Sequence, residues 1–256
     1  MSPFLAVVLA VSFAGSDSES QAIARRAVIN FEKDTITALR YEYMARDEKK
    51  GKGVEVNHVM TVGGTPYERL VSKNGEPLPP KAEKQQEEKF RKTLQFRRNE
   101  LKSQHDNRVR KWKEQNRFLE EAPDAFEFTM LPETVMNGRA VYAIECKPKA
   151  GYQPRDERGK MFGKIEAKAW IDKADRRIVK LDADTTDSIS IGWILERVAK
   201  GTHMELEQMR LPDGNWVLKT VSIGGSARIM VVDNKQLDET LTYSDYRAAP
   251  DLKPVK

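Results

Sequence analysis

Three histidines, one cysteine and a short run of aspartates are the residues of this chain best suited to chemistry. His58, His105 and His203 lie far apart, without the close spacing that metal ligands on one element show, so the sequence predicts no metal site. Asp182, Asp184 and Asp187 begin like a calcium loop, but the glycine and closing glutamate of an EF-hand are missing. Solvation of a strand end accounts for them better. Gly224-Gly225-Ser226 lacks the lysine and the following helix of a phosphate loop. Cys146 has no activating partner in its strand-like segment and reads as a small buried hydrophobe. A single cysteine also excludes an intramolecular disulfide and a cysteine-rich metal site. No nucleophile, base and oxyanion donor assemble. The sequence therefore predicts no catalytic or cofactor-binding residues, no cofactor and no enzyme.

The elements that would position any site are mostly strands. Gly163–Thr185 holds two alternating runs, Ile165/Ala167/Ala169/Ile171 and Val179/Leu181/Ala183, around the polar turn Asp172–Arg176. Period two sends alternate side chains to opposite sheet faces, so this stretch predicts an antiparallel hairpin. Further strands are expected at Leu39–Tyr43, Val54–Asn57, Tyr67–Val71, Phe126–Leu131, Ala140–Lys147, Thr202–Arg210, Trp216–Ile223, Ala227–Val232 and Glu239–Arg247. Ser188–Leu195 reads as a strand or a bent connection. Asn74-Gly75 and Asn137-Gly138 are strong turn signals, because both residue types tolerate positive φ. Gly63-Gly64, Pro212-Asp213-Gly214 and Gly224-Gly225 are read as further turns. About eleven short strands joined by hairpin-length turns predict a mainly β (α+β) fold. Its core would be a curved antiparallel sheet forming an unclosed barrel lidded by helices.

Two blocks read as helical. Ser18-Glu19-Ser20-Gln21 matches a capping box, and Ile23, Ala27 and Phe31 continue an amphipathic helix to about Lys33. Residues 81–121 contain thirteen basic and eight acidic side chains and no glycine or proline; that excess equals the net charge of +5 of the whole chain. Phe90, Leu94, Leu101, Trp112 and Leu119 fall near one helical face, with His105 and Asn116 in the same stripe. This pattern predicts one long surface helix, or a helical pair bent near Ser103–Asn107. The block is either a solvated helix docked by its stripe or an arm for a protein partner or anionic lipid headgroups. Acidic residues run throughout and no stacking platform appears, so no nucleic-acid partner is expected. Phe4–Ala14 has the length and composition of a secretory signal, with small residues set for a cut after Ala14. Residues 1–14 are thus read as a signal peptide, residues 15–247 as one domain with the insertion at 81–121, and 248–256 as a frayed tail. A monomer in the periplasm is expected.

The inward set of such a sheet would include Tyr41, Tyr142, Ile144, Ala167, Ala169, Leu181, Met204, Leu206 and Leu218. These residues line either an ordinary packed core or a ligand cavity, since sequence does not distinguish a filled barrel from a hollow one. Burying an acyl chain at about 0.8 kcal/mol per methylene would release roughly 10 kcal/mol before binding costs, ample for a carrier.

Trp170-Ile171-Asp172 followed by Arg177-Ile178-Val179-Lys180-Leu181 resembles the hairpin of the bacterial outer-membrane lipoprotein carrier superfamily (LolA/LolB-like). Gly201-Thr202, Trp216 and Tyr243-Ser244-Asp245-Tyr246 fit a divergent branch of it, and the resemblance spans about residues 20–247. It implies a half-barrel with helices lidding a hydrophobic cavity for lipid acyl chains; the charged block 81–121 departs from the compact pattern. Two functions follow as expectations. One is a non-catalytic carrier or sensor of lipid or lipoprotein acyl chains. The other is a protein-interaction module that docks through residues 81–121.

Overall fold

Apolar–polar alternation recurs from Tyr41 to Ala248, and strands form wherever it does. The computed structural model describes residues 14–115, 117, 119–155, 157–191, 196–229 and 233–249. Helix α1 (Ala14–Thr37) leads through a 3-10 turn (Ala38–Arg40) into β1 (Tyr41–Lys49), β2 (Gly53–Val62), β3 (Thr65–Lys73) and β4 (Glu76–Pro77). Three helices follow: α2 (Pro80–Asn99), α3 (Lys102–Gln115) and the short α4 (Ala122–Ala125). Then come β5 (Phe126–Met136) and β6 (Arg139–Pro148), a 3-10 segment (Gly159–Lys164), β7 (Ile165–Asp172) and β8 (Ile178–Thr185). The series ends with β9 (Ile189–Ile191), β10 (Glu196–Val198), β11 (His203–Arg210), β12 (Trp216–Ile229) and β13 (Asp233–Ala248). The signal-peptide reading falls on residues outside this description, Ala14 apart.

All thirteen strands join one sheet in the order β4-β3-β2-β1-β13-β12-β11-β8-β7-β6-β5, with β10 pairing β12 and β9 pairing β10. Every pairing is antiparallel. The two ends, β4 and β5, do not pair with each other, so the sheet is an unclosed half-barrel as expected. The Asn74-Gly75 and Asn137-Gly138 turns form with all four residues at positive φ.

Several expectations change. Helix α1 runs straight through the proposed capping box, and Ser20, instead of capping, is fully buried with its hydroxyl donating to the Phe128 carbonyl at 3.0 Å. Leu39 and Arg40 belong to the 3-10 turn. The charged block is a helical pair, broken at Glu100-Leu101 rather than at Ser103–Asn107. Gly224-Gly225 is no turn: β12 passes through it to Ile229, beyond which residues 230–232 are not described. A Cβ on Gly225 would stand 2.5 Å from Thr202 Oγ1 and 2.8 Å from Thr202 Cα, so glycine is there for close packing. Ala248 belongs to β13, not to a tail.

The register of the β7–β8 hairpin holds one surprise. Trp170 pairs with Lys180 and Ile171 with Ile178, which leaves Val179 as the extra residue of a bulge. The bulge turns Val179 away from Leu181 and Ala183, into a separate cluster with Val141, Trp216 and Trp170 on the other sheet face. Trp170, which alternates in step with Lys164, Glu166 and Lys168, thus lies outside the main core.

That main core forms under α1, which packs most closely on β5 and also meets β7, β8 and β12. Ala24, Ala27, Val28 and Phe31 meet Phe126, Phe128, Ile144, Ile171 and Ile178. Polar side chains fix the helix along its length: Gln21 donates to the Pro123 carbonyl at 2.9 Å and Asn30 to the Arg176 carbonyl at 2.8 Å. Arg177 Nε donates to Asp34 Oδ1 at 2.9 Å. The turn it closes is held by buried Asp172, whose Oδ1 accepts from the backbone of Ala174 and Asp175 while Arg139 grips both its oxygens at 2.5 and 2.9 Å. Burial pushes the Asp172 carboxyl up, but Arg139 and the backbone donors outweigh it and hold the group below its ordinary range.

Candidate ligand pocket

Seven of the nine residues expected to line a cavity divide between two places. Ile144, Ala167, Ala169, Leu181 and Met204 border an entirely apolar space of about 120 Å³ between α1 and the sheet. Tyr41 and Leu218 line a larger pocket of about 580 Å³ elsewhere. Tyr142 and Leu206 pack against the main core and border neither space. The smaller space is a packing gap in a filled core, with room for a few methyl groups.

The larger pocket lies where β1, β2, β3, β12 and β13 curve past the end of α1. Its apolar wall includes Ala45, Val59, Met60, Val217, Leu218 and Leu241, with Phe31 and Ala38 from the α1 side. Period two places Tyr41, Tyr43, Ala45 and Asp47 of β1 on this wall. Tyr243 and Tyr246, three apart on β13, would face opposite ways in a regular strand. They face the same pocket because Asp245, at φ 55°, forms an irregularity where the β1–β13 register shifts between Glu42 and Met44. Tyr43 and Tyr246 then stack at 4.8 Å between ring centroids, and Tyr43 meets Tyr243 edge-on at 5.9 Å.

Burial raises the phenols of Tyr43 and Tyr246, and raises Tyr243 to about 12, with Glu68, Asp47 and Glu239 adding to that effect. All three stay neutral at physiological pH, so none is a poised nucleophile. Tyr41 and Tyr246 also hold the wall together. The Tyr41 hydroxyl donates to Asp213 and accepts from Asn215 Nδ2 at 2.7 Å, and Tyr246 donates to the Leu218 carbonyl at 2.8 Å. Asp34 and Gln208, both buried, form part of the inner end. Burial pushes Asp34 up to about 6 even though Arg177 pulls it down.

Helices α2 and α3 pack on β3 beside the pocket. Trp112 of α3 lines the pocket, and Phe90 of α2 packs on Tyr67 at 5.4 Å between centroids. Two arginines pin the pair to the β2–β3 turn: Arg97 donates to the Val62 carbonyl at 2.5 Å, and Arg108 to the Gly63 carbonyl at 2.9 Å and Thr65 Oγ1 at 2.7 Å. Glu100, at the helix break, has a side chain only 3% exposed and pairs with Arg108 and with His105 at 3.1 Å. Arg108 holds its carboxyl below the ordinary range. The charged block is therefore docked, with Phe96 and Leu101 left exposed on its outer side.

The chemical residues singled out in sequence take other roles. Asp182 lies inside β8 and Asp184 next to its last residue, and His203 of β11 stands 3.5 and 3.0 Å from them. Asp182, His203 and Glu205 bring ligand-type atoms within 4.8 Å of one another. Lys180 already pairs with Glu205 at 2.5 Å. The cross-strand register makes this group, and no sequence spacing announces it. Cys146 is buried in the main core, and burial raises its thiol to about 12.

Sequence reasoning found Tyr41 and Leu218 but missed Tyr43, Tyr243, Tyr246, Glu68 and Trp112. The signal available was a tyrosine pair at period two in β1 facing another pair near the chain's last strand. Only the β1–β13 pairing joins them.

No family model matches the chain, and no curated protein matches it. Solved structures similar over most of their length include the following three. A DUF1329 family protein from Desulfovibrio piger is 11% identical, with 93% of this chain and 95% of that one covered at a TM-score of 0.34. An outer-membrane lipoprotein-sorting protein domain from Vibrio parahaemolyticus is 12% identical, with 90% and 95% covered at 0.31. A LolA superfamily protein from Nitrosomonas europaea is 10% identical, with 91% and 94% covered at 0.34. Similarity at this level assigns no ligand or partner.

Proposed function

We propose that the protein is a periplasmic, non-catalytic carrier or sensor that takes the acyl part of a lipid or lipoprotein into the pocket between α1, the β1–β3 and β12–β13 strands, and the α2–α3 lid. One observation carries this reading: a space of about 580 Å³ with a partly apolar wall, in a sheet whose other half leaves only about 120 Å³. Its size is in the range of small-molecule sites, whereas the gap of about 120 Å³ beneath α1 is too small for an acyl chain. The docking-arm alternative has less support, because Arg97, Arg108 and Trp112 direct that block's contacts to the chain's own turn and pocket.

The test is titration with a fluorescent fatty acid, alongside native mass spectrometry of protein purified from its own host. Ala45 is buried on the pocket wall. Ala45→Trp should fill the space and lower affinity about tenfold or more while the protein stays folded by circular dichroism. Full binding by the folded variant would move the ligand elsewhere. Protein that binds no acyl probe and carries no native ligand would end the carrier reading.

A further inference from the structure

We infer that the polar end of the ligand is a cation, so that the pocket takes an amphiphile ending in a protonated amine. This rests on the carrier reading of the same pocket and names the class of ligand it would carry. The chain as a whole is basic, at +5, yet the described residues lining the pocket include four carboxylates, Asp34, Asp47, Glu68 and Glu239, and no lysine, arginine or histidine.

Three of those carboxylates are answered from outside the lining. Arg177 pairs with Asp34 at 2.8 Å, and Lys49 with Asp47 and Glu239 at 2.6 and 3.1 Å. Glu68 makes no ion pair among the described residues. It stands across from Val59 on the β2–β3 ladder, close enough to Tyr43 and Tyr243 to influence both phenols. Tyr43, Tyr243, Tyr246 and Trp112 all line the pocket, and aromatic rings attract a cation to their faces. An anionic headgroup would meet the reverse field.

A second observation concerns hydrogen bonds. Gln208 is 3% exposed, its side chain hydrogen-bonds Asp34, and its Oε1 is buried without a partner. Asp47 Oδ1 is likewise buried and unpartnered on the same lining. Both atoms are acceptors, and leaving buried acceptors unanswered is costly. An ammonium supplies three donors and no acceptor. A carboxylate or phosphate group supplies the wrong kind of atom.

The experiment compares three probes of equal chain length, decylammonium, 1-decanol and decanoate, by calorimetry below their aggregation concentrations. Decylammonium should bind about tenfold tighter than decanol and decanoate weakest, with the spread narrowing as salt is added. Glu68 is exposed, so Glu68→Gln should fold normally; it should weaken decylammonium binding about threefold or more and leave decanol unchanged. Decanoate binding as tightly as decylammonium, or an unchanged amine-to-alcohol ratio in Glu68→Gln, would overturn the cation inference and leave the carrier reading standing. Failure of all three probes would overturn both.

Discussion

One sheet carries two contrasting halves. On β5–β8 the inward side chains meet α1 and leave a space of only about 120 Å³; on β1–β3 and β13 they border a pocket of about 580 Å³ that α3 reaches with Trp112. Strands in both halves alternate in the same way, so alternation does not decide which half is hollow. The covering helix does. Helix α1 is held down by Ser20, Gln21, Asn30 and Asp34 and presents small and aliphatic residues flush to the sheet. The lid is pinned mainly near the β2–β3 turn and reaches the pocket with Trp112. A wall becomes core or container according to what is fastened over it.

The largest expected effect tests whether the filled half is only structural. Ile171 is 1% exposed beneath α1, so Ile171→Ala should cost about 4 kcal/mol in urea unfolding, with acyl-probe affinity of the folded variant within about twofold of the parent. Lost binding in a folded variant would mean that the halves are coupled.

Next comes the lid. Arg108→Ala leaves Glu100 buried without its main partner, at a local cost of about 3 kcal/mol. Hydrogen exchange should speed up across α2 and α3 while β5–β8 keep their protection. Uniform acceleration would show that the lid is part of the global fold.

The smallest effect is a pH dependence at the seam between the halves. The native state holds the Asp34 proton up to about 6, against an ordinary value of 3.8. A raised carboxyl contributes stability below its unfolded value and loses that contribution as pH rises through the folded one. Between about pH 4 and 6 the parent should therefore lose about 2 kcal/mol relative to Asp34→Asn. A parallel pair of stability curves would rule the effect out. Glu100, held low by Arg108, acts in the opposite direction, so acid should weaken the lid while it favours the α1 side.

The sheet and its hairpins were legible because alternation and the Asn-Gly turns are local signals. Gly224-Gly225 misled because its cause, the approach of Thr202, lies on a neighbouring strand. Val179 misled because a bulge is a property of two strands together. Ile144 and Ala169 were legible as inward residues, but whether they face a helix or a space depends on the helix above them. The tyrosine pocket was hidden for the same reason: its walls come from opposite ends of the chain.

Strand β13 has a consequence for the order of assembly. It alone joins the β1–β4 meander to the rest of the sheet, with β1 on one side and β12 on the other. Contacts between such distant stretches form slowly, because a long loop must close first. The β5–β12 region and α1 have a buried nucleus independent of that step, whereas the pocket does not exist until β13 is in place. A folding intermediate without β13 would therefore keep the core and lack the pocket. Formation of the pocket would then report completion of the fold.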